Sequence, residues 1–241
     1  MGRRSAAYAC AVSDGWSRGR AKFELPLQPS PPDLPEVLPL AHAAPVELRG
    51  VEVRERHLSA FDLSGRDATS LQLLESRVEG VDLSGAALRG ATIRDTVVEG
   101  GDWANADASE AALTRIQMRS VRLTGSVFAQ AKIRDATFVE CRVDLASFRF
   151  GELERVRFEN CRMEEVDFYE ARLSSVAFLS CDLTKANLAK ARFVRSEMRD
   201  CELDGIGDPE RLAGVAMPWV DIVRSAAVLA EGVGVHVLSE D

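Results

Sequence analysis

Four cysteines, Cys141, Cys161, Cys181 and Cys201, recur at every twentieth position. Thiolates are metal ligands and nucleophiles, so zinc binding and disulfide chemistry are the first functions to weigh. A charged series shares the interval: Asp62, Asp82 and Asp102, then Arg122, Arg142 and Arg162, then Asp182 and Glu202. Group-transfer machinery has less to draw on. The three histidines, His42, His57 and His236, are scattered, and no Ser, His and acid set shares the spacing. Neither a P-loop nor a GxGxxG after a strand is present. What the cysteines and carboxylates can do depends on the elements that space them.

Those elements are set by a shorter period. From Val46 to Gly205 the chain repeats at every fifth position without a slip. The third residue of each pentad, from Leu48, Val53 and Leu58 through Met198 and Leu203, is apolar in all 32 cases. In a chain with 46% hydrophobic residues, chance would give this about once in 10¹¹ trials, so the period is a signal. The residue two earlier is uncharged in 30 of the 32 pentads and mostly small or apolar. A period of five fits neither a helix at 3.6 nor a strand at 2. It fits a chain that turns a corner once per pentad and sends two side chains inward from each side. If four sides, one pentad each, close a coil, the 32 pentads make eight coils. Stacked as parallel strands ~4.8 Å apart, they form a rod roughly 38 Å long.

In that geometry the cysteines stack on one inner side and span roughly 14 Å. They cannot gather around a zinc that needs sulfurs about 2.3 Å away. Neighbouring thiols come within disulfide reach but point in parallel. They read as small buried hydrophobes, and neither a metal nor a cofactor is expected. A rod filled by its own side chains also lacks a pocket, so no enzyme is expected. Phe128, Phe148 and Phe168 form one inner stack, and Phe138, Phe158 and Phe178 another. Arg56 and Arg66 occupy inward slots. Either the first coil is imperfect and both reach solvent at an open end, or they form an anion site there.

Segments such as Val81-Asp82-Leu83-Ser84-Gly85, Cys181-Asp182-Leu183-Thr184-Lys185 and Ala186-Asn187-Leu188-Ala189-Lys190 resemble the A(D/N)LXX unit of the pentapeptide-repeat family. The resemblance implies an all-β solenoid, a right-handed quadrilateral parallel β-helix of about eight coils. It also matches the repeated Asp to the family's preferred residue, whose side chain can bond the turn backbone.

The remaining segments flank the rod. Residues 1–45 are expected to be a disordered tail (1–24) and a Pro-rich linker (25–45) lying over the first coil; seven prolines between Leu25 and Pro45 exclude helix there. Residues 46–205 form the β-helix, and 206–241 a C-terminal helical cap. Asp208-Pro209 reads as an N-cap and first helical residue, Trp219 to Glu231 as a helix, and His236 to Leu238 as a final strand. The family resemblance implies homodimerisation through 219–231. Arg3 and Arg4 are followed by no proper hydrophobic run, no stretch spans a membrane, and core cysteines suit a reducing cytoplasm, so a cytoplasmic protein is expected.

Charge narrows the function. Residues 1–45 sum to +1 (5 basic, 4 acidic), 46–205 to −5 (23 basic, 28 acidic) and 206–241 to −4 (2 basic, 6 acidic). This is no basic footprint for direct nucleic-acid binding. Outward apolar residues are few: Leu74, Val139, Leu145, Phe150, Tyr169, Leu179 and Val194. Phe150 and Tyr169 share a side in neighbouring coils and are the first candidate interaction surface; packing under the N-terminal linker is the other reading of this pair. The column Asp62, Asp82 and Asp102 is the second. The leading expectation is a non-enzymatic rigid module binding a protein partner. The alternative comes from the resemblance: some family members are fluoroquinolone-resistance proteins that imitate duplex DNA and engage DNA gyrase. Duplex DNA of ~38 Å carries roughly 22 negative charges, against a net −5 for the eight coils.

Overall fold

In a computed structural model, which describes residues 24–41 and 47–238, every fifth residue from Gly50 to Gly205 has positive φ. That is four corners per coil. The flat stretches between corners pair with their counterparts in the next coil. β1 (Glu52–Arg54) and β2 (His57–Ser59) pair with β3 (Gln72–Glu79). Then follow β4 (Thr92–Glu99), β5 (Ala112–Arg119), β6 (Lys132–Val139), β7 (Glu152–Glu159) and β8 (Arg172–Leu179), and finally β9 (Arg192–Val194) and β10 (Glu197–Arg199) on β8. All these strand pairings are parallel and exactly in step with the coil, as in Leu73↔Ile93 and Phe138↔Phe158. The two remaining sides carry ladders of single bridges at the same interval. The chain makes seven full turns between Glu52 and Arg192, and the first and last passes together count as the eight coils expected.

Burial follows the pentad. The phenylalanine columns are stacked, with Phe128–Phe148 centroids 5.2 Å apart and Phe138–Phe158 4.8 Å apart, and they meet edge to face at Phe148–Phe158. The N-terminal half holds one large side chain that the pattern of Leu, Val and Ala conceals. Trp103 is buried, and its indole N–H has no partner among the described residues; beside it is an apolar gap of about 20 Å³. Two residues before Trp103, Gly101 lies against the preceding coil: a Cβ there would fall 2.3 Å from the Val81 carbonyl oxygen. The flanking backbone bonds, Asp102 to Val81 and Arg122 to Gly101, stretch to 3.3 and 3.2 Å.

Both edges of the stack are covered, the first only in part. At the first coil, His57 bonds Pro39 and Ala41 through its backbone. At the last, Ala216 pairs with Glu197, and the Met198 N–H donates to the Ala216 carbonyl. The buried Asp221 carboxylate accepts the Asp200 N–H at 2.9 Å and is held by Arg224 at 2.6 Å. Unpaired edge groups are what invite aggregation in a stack of this kind.

The ends depart from the expected in four places. The linker does not stop at the first coil. From its pairing at His57 it continues down the stack: the Asp33 N–H donates to Asp95, the Ser30 N–H to Asp135, and Glu24 pairs with Arg195 at 2.8 Å. Asp208 is left-handed and its side chain caps nothing, although Pro209 does open a 3₁₀ turn, Pro209–Leu212. The expected single helix is two, α1 (Trp219–Arg224) and α2 (Ala226–Gly232), interrupted at the buried Ser225. Residues 235–238 form no strand. The expected disorder of 1–24 falls, apart from Glu24, outside the described residues.

Candidate functional site

The cysteine column lies inside. Cys141, Cys161, Cys181 and Cys201 are free and at most 3% exposed. Each thiol donates to the carbonyl two residues earlier, at 3.3 to 3.4 Å. Neighbouring thiols and burial push Cys141 and Cys181 up. Among the described residues no group of three or more His, Cys, Asp or Glu is arranged to hold a metal. Arg56 and Arg66 both reach solvent at the N-terminal end, and the Arg56 guanidinium donates to the Glu55 carbonyl.

The acidic column has a local task. Asp62, Asp82 and Asp102 stack in register, and each accepts the backbone N–H two residues on, from Ser64, Ser84 and Ala104. The side chain thereby closes the turn. The Ser64 hydroxyl and N–H also hold Asp62 below the usual carboxylate range. Where acid gives way to base, Asp102 pairs with Arg122 at 3.2 Å, and Arg162 pairs with Asp144 and Glu164. Of the eight charges in this column, Asp102, Arg122 and Arg162 are ion-paired.

The aromatic pair meets. Phe150 and Tyr169 pack edge to face with centroids 5.5 Å apart, and Phe150 is 44% exposed. Two neighbours escape a sequence reading that looks only for apolar residues. The Arg149 guanidinium lies 4.5 Å from the Tyr169 ring centre and 5.7 Å from that of Phe150, and is tied to Asp167. The Lys190 ammonium sits 2.8 Å from Glu170 and 2.7 Å from the Tyr169 hydroxyl, which together hold it above the usual lysine range. The columns 149, 169, 189 and 150, 170, 190 carry this signal in the sequence. The linker's described hydrogen bonds and ion pairs go to other positions, at His57, Asp95, Asp135, Arg157 and Arg195. Of the other outward apolar residues, Leu145 and Val194 are exposed, while Leu74 and Val139 are buried. Both buried ones sit beside corners of the strand faces, Leu74 next to the column that the linker follows.

A parallel β-solenoid with a side-chain-filled core is the architecture of a repeat protein. A family model described as a pentapeptide repeat region matches residues 111–180 and 151–207, and the same corners and register continue unbroken back to Gly50. The chain belongs to the pentapeptide-repeat proteins, a family that brings no catalytic assignment with it. Among solved structures it is similar to QnrB1, a plasmid-mediated fluoroquinolone resistance protein (20% identity, 79% of this chain and 92% of that one, TM-score 0.43). It is also similar to a pentapeptide repeat protein of the Arabidopsis thaliana thylakoid lumen (25%, 42% and 67%, TM-score 0.38). A third likeness is to HetL of Nostoc sp. strain PCC 7120, involved in heterocyst differentiation regulation (17%, 72% and 93%, TM-score 0.27). Among curated protein sequences none matches this chain. No described helix is long and apolar enough to cross a membrane.

Proposed function

We propose that this protein is a non-enzymatic rigid module that docks a protein partner on the surface built by Arg149, Phe150, Tyr169 and Lys190, and that it dimerises through its C-terminal cap. The observation that carries the first part is the exposed Phe150 ring held edge-on by Tyr169 under a guanidinium. Rigid aromatics with an arginine lose little entropy on binding and are the residue types that anchor interfaces. The solenoid beneath them is a continuous ladder with a packed core. For the cap, α1 presents Trp219, Val220 and Val223 to solvent at 77, 66 and 56%, while Leu229 packs on the core.

The experiment is a quantitative capture of partners from the source cell with wild type, Phe150→Ala, Tyr169→Ala and the triple change Asp62→Asn, Asp82→Asn, Asp102→Asn. The aromatic changes should weaken the captured complex at least about tenfold, as loss of a buried anchor does, and the acidic ones should leave it intact. The reverse pattern would favour the DNA mimicry that the family resemblance implies as the alternative. A supercoiling assay separates the two directly. With a net −5 on residues 46–205 and its acidic column closing turns, the protein should not inhibit gyrase at micromolar concentration, and potent inhibition would reverse the assignment.

A further inference from the structure

Cations on this solenoid are as a rule matched by carboxylates one coil away: Arg115 with Asp95, Arg134 with Glu154, Arg155 with Asp135, Arg149 with Asp167. In the last two coils Lys185, Lys190, Arg195 and Arg199 are also matched by carboxylates, but Arg172 and Arg192 are not. Arg172 and Arg192 are register partners on adjacent parallel strands, so their Cα atoms are ~4.8 Å apart. Like charges placed directly opposite destabilise a sheet. Among the described residues neither guanidinium finds an ion pair or a side-chain hydrogen bond, although Glu152 is the next register partner of Arg172. Both line a depression of about 340 Å³ together with Lys190, Glu170 and Arg211. Arg211 comes from the 3₁₀ turn of the cap, so two separate parts of the chain deliver cations to one place. Glu170, the one carboxylate in the lining, is engaged by the Lys190 ammonium, and Arg211 has Glu210 beside it at 3.6 Å; the five lining side chains sum to +3 (four basic, one acidic).

We infer that this depression is a binding site for a phosphate group, either the free ion or a phosphomonoester on a peptide. Two neighbouring guanidinium forks offer more donors than one carboxylate can accept, whereas a phosphate presents three or four oxygens and two charges. Lys190, fixed by Glu170 and the Tyr169 hydroxyl, keeps a remaining N–H for the ligand. Arg211 closes the side facing the cap. Neutralising the Arg172–Arg192 repulsion is itself part of the binding energy. Removing both charges should therefore stabilise the empty protein while abolishing the stabilisation by ligand.

The test is calorimetric titration of the full chain with sodium phosphate and, separately, sodium acetate at matched ionic strength. A saturable phosphate isotherm with Kd on the order of 1 mM or tighter is expected, with acetate at least about tenfold weaker. The variant R172Q/R192Q should lose phosphate binding at least about tenfold and melt higher than wild type without ligand. R211Q lies outside the coils and tests the site without touching the sheet; it should weaken phosphate measurably. A phosphoserine peptide binding more tightly than inorganic phosphate would identify a phosphorylated chain as the natural ligand, and equal affinity the free ion. Phosphate no better than acetate, or binding unchanged in both variants, would overturn the site. Because the probe is a small ion, these outcomes are independent of any protein partner at Phe150.

Discussion

Each fifth residue from Gly50 to Gly205 adopts a left-handed conformation, and only eight of these 32 corners are glycine, leaving 24 that carry a side chain. A non-glycine residue there costs roughly 1–2 kcal/mol, and a β-branched one more. The corners hold Glu, Asp, Asn, Arg, Lys, Ser, Ala, Gln and single Leu and Phe, and no Val, Ile or Thr. That exclusion is legible in the sequence, but a reading by hydrophobicity looks at the inward positions and passes over it. Leu145 is a corner residue and 58% exposed, so little packing offsets its strain. Leu145→Gly should raise stability by about 1 kcal/mol, and Leu145→Val should lower it by a similar amount, read from urea midpoints. The cysteine column allows a second test. Four thiols at most 3% exposed, each donating to a carbonyl, should resist alkylation in the native protein and react together on unfolding. Rapid native labelling of Cys161 would contradict this placement.

Elements show where a uniform repeat gives way to specific packing. The phenylalanine columns follow from the coil spacing alone, and Phe158, stacked on both Phe138 and Phe178, should cost about 3–5 kcal/mol as Phe158→Ala. The Trp103 coil does not follow so simply, because Gly101 beside it lies against the Val81 backbone at a φ of +90° and the ladder bonds there lengthen. Gly101→Ala should destabilise visibly in a thermal melt, since the clash is with backbone. The linker is the least legible element. Its prolines state that it is extended, but its path depends on carboxylates far along the chain. Arg155 grips Asp135 in two contacts, and the Ser30 N–H adds a third; together they outweigh burial and hold Asp135 below the usual carboxylate range. At Asp95 burial is the largest single influence and raises the pKa, and Arg115 and the Asp33 N–H together overcome it and hold it below the usual range. A depressed folded pKa contributes stability above the unfolded value and loses it as pH falls. The Ser30 and Asp33 amide resonances should hence stay constant from pH 8 to about 5 and shift as the linker loosens below about pH 4.

At the scale of the whole molecule the rod has two unlike ends, and this asymmetry decides how copies can associate. The N-terminal edge is partly covered by residues 39–41 and stays polar, with Glu52, Arg54 and Arg56 around its opening. The C-terminal end buries its own edge with Asp221 and Ala216 and then exposes an apolar surface on the outside of the plug. The apolar content of 219–231 is readable in the sequence; the division of its residues is not, because the break at Ser225 turns Val220 and Val223 outward while Leu229 packs inward. A stable homodimer needs about 800 Å² per partner, more than Trp219, Val220 and Val223 supply alone. Val233, Val235 and Val237 are likewise more than half exposed and extend the same end. A two-fold pairing of caps would join two rods end to end, leaving the Phe150 and Arg172 faces free on each. Sedimentation should then give a dimer, and Trp219→Glu with Val223→Glu should give a folded monomer with an unchanged circular dichroism spectrum, since neither side chain is in the core. A wild-type monomer at high concentration would leave the segment as a plug for the last coil and nothing more.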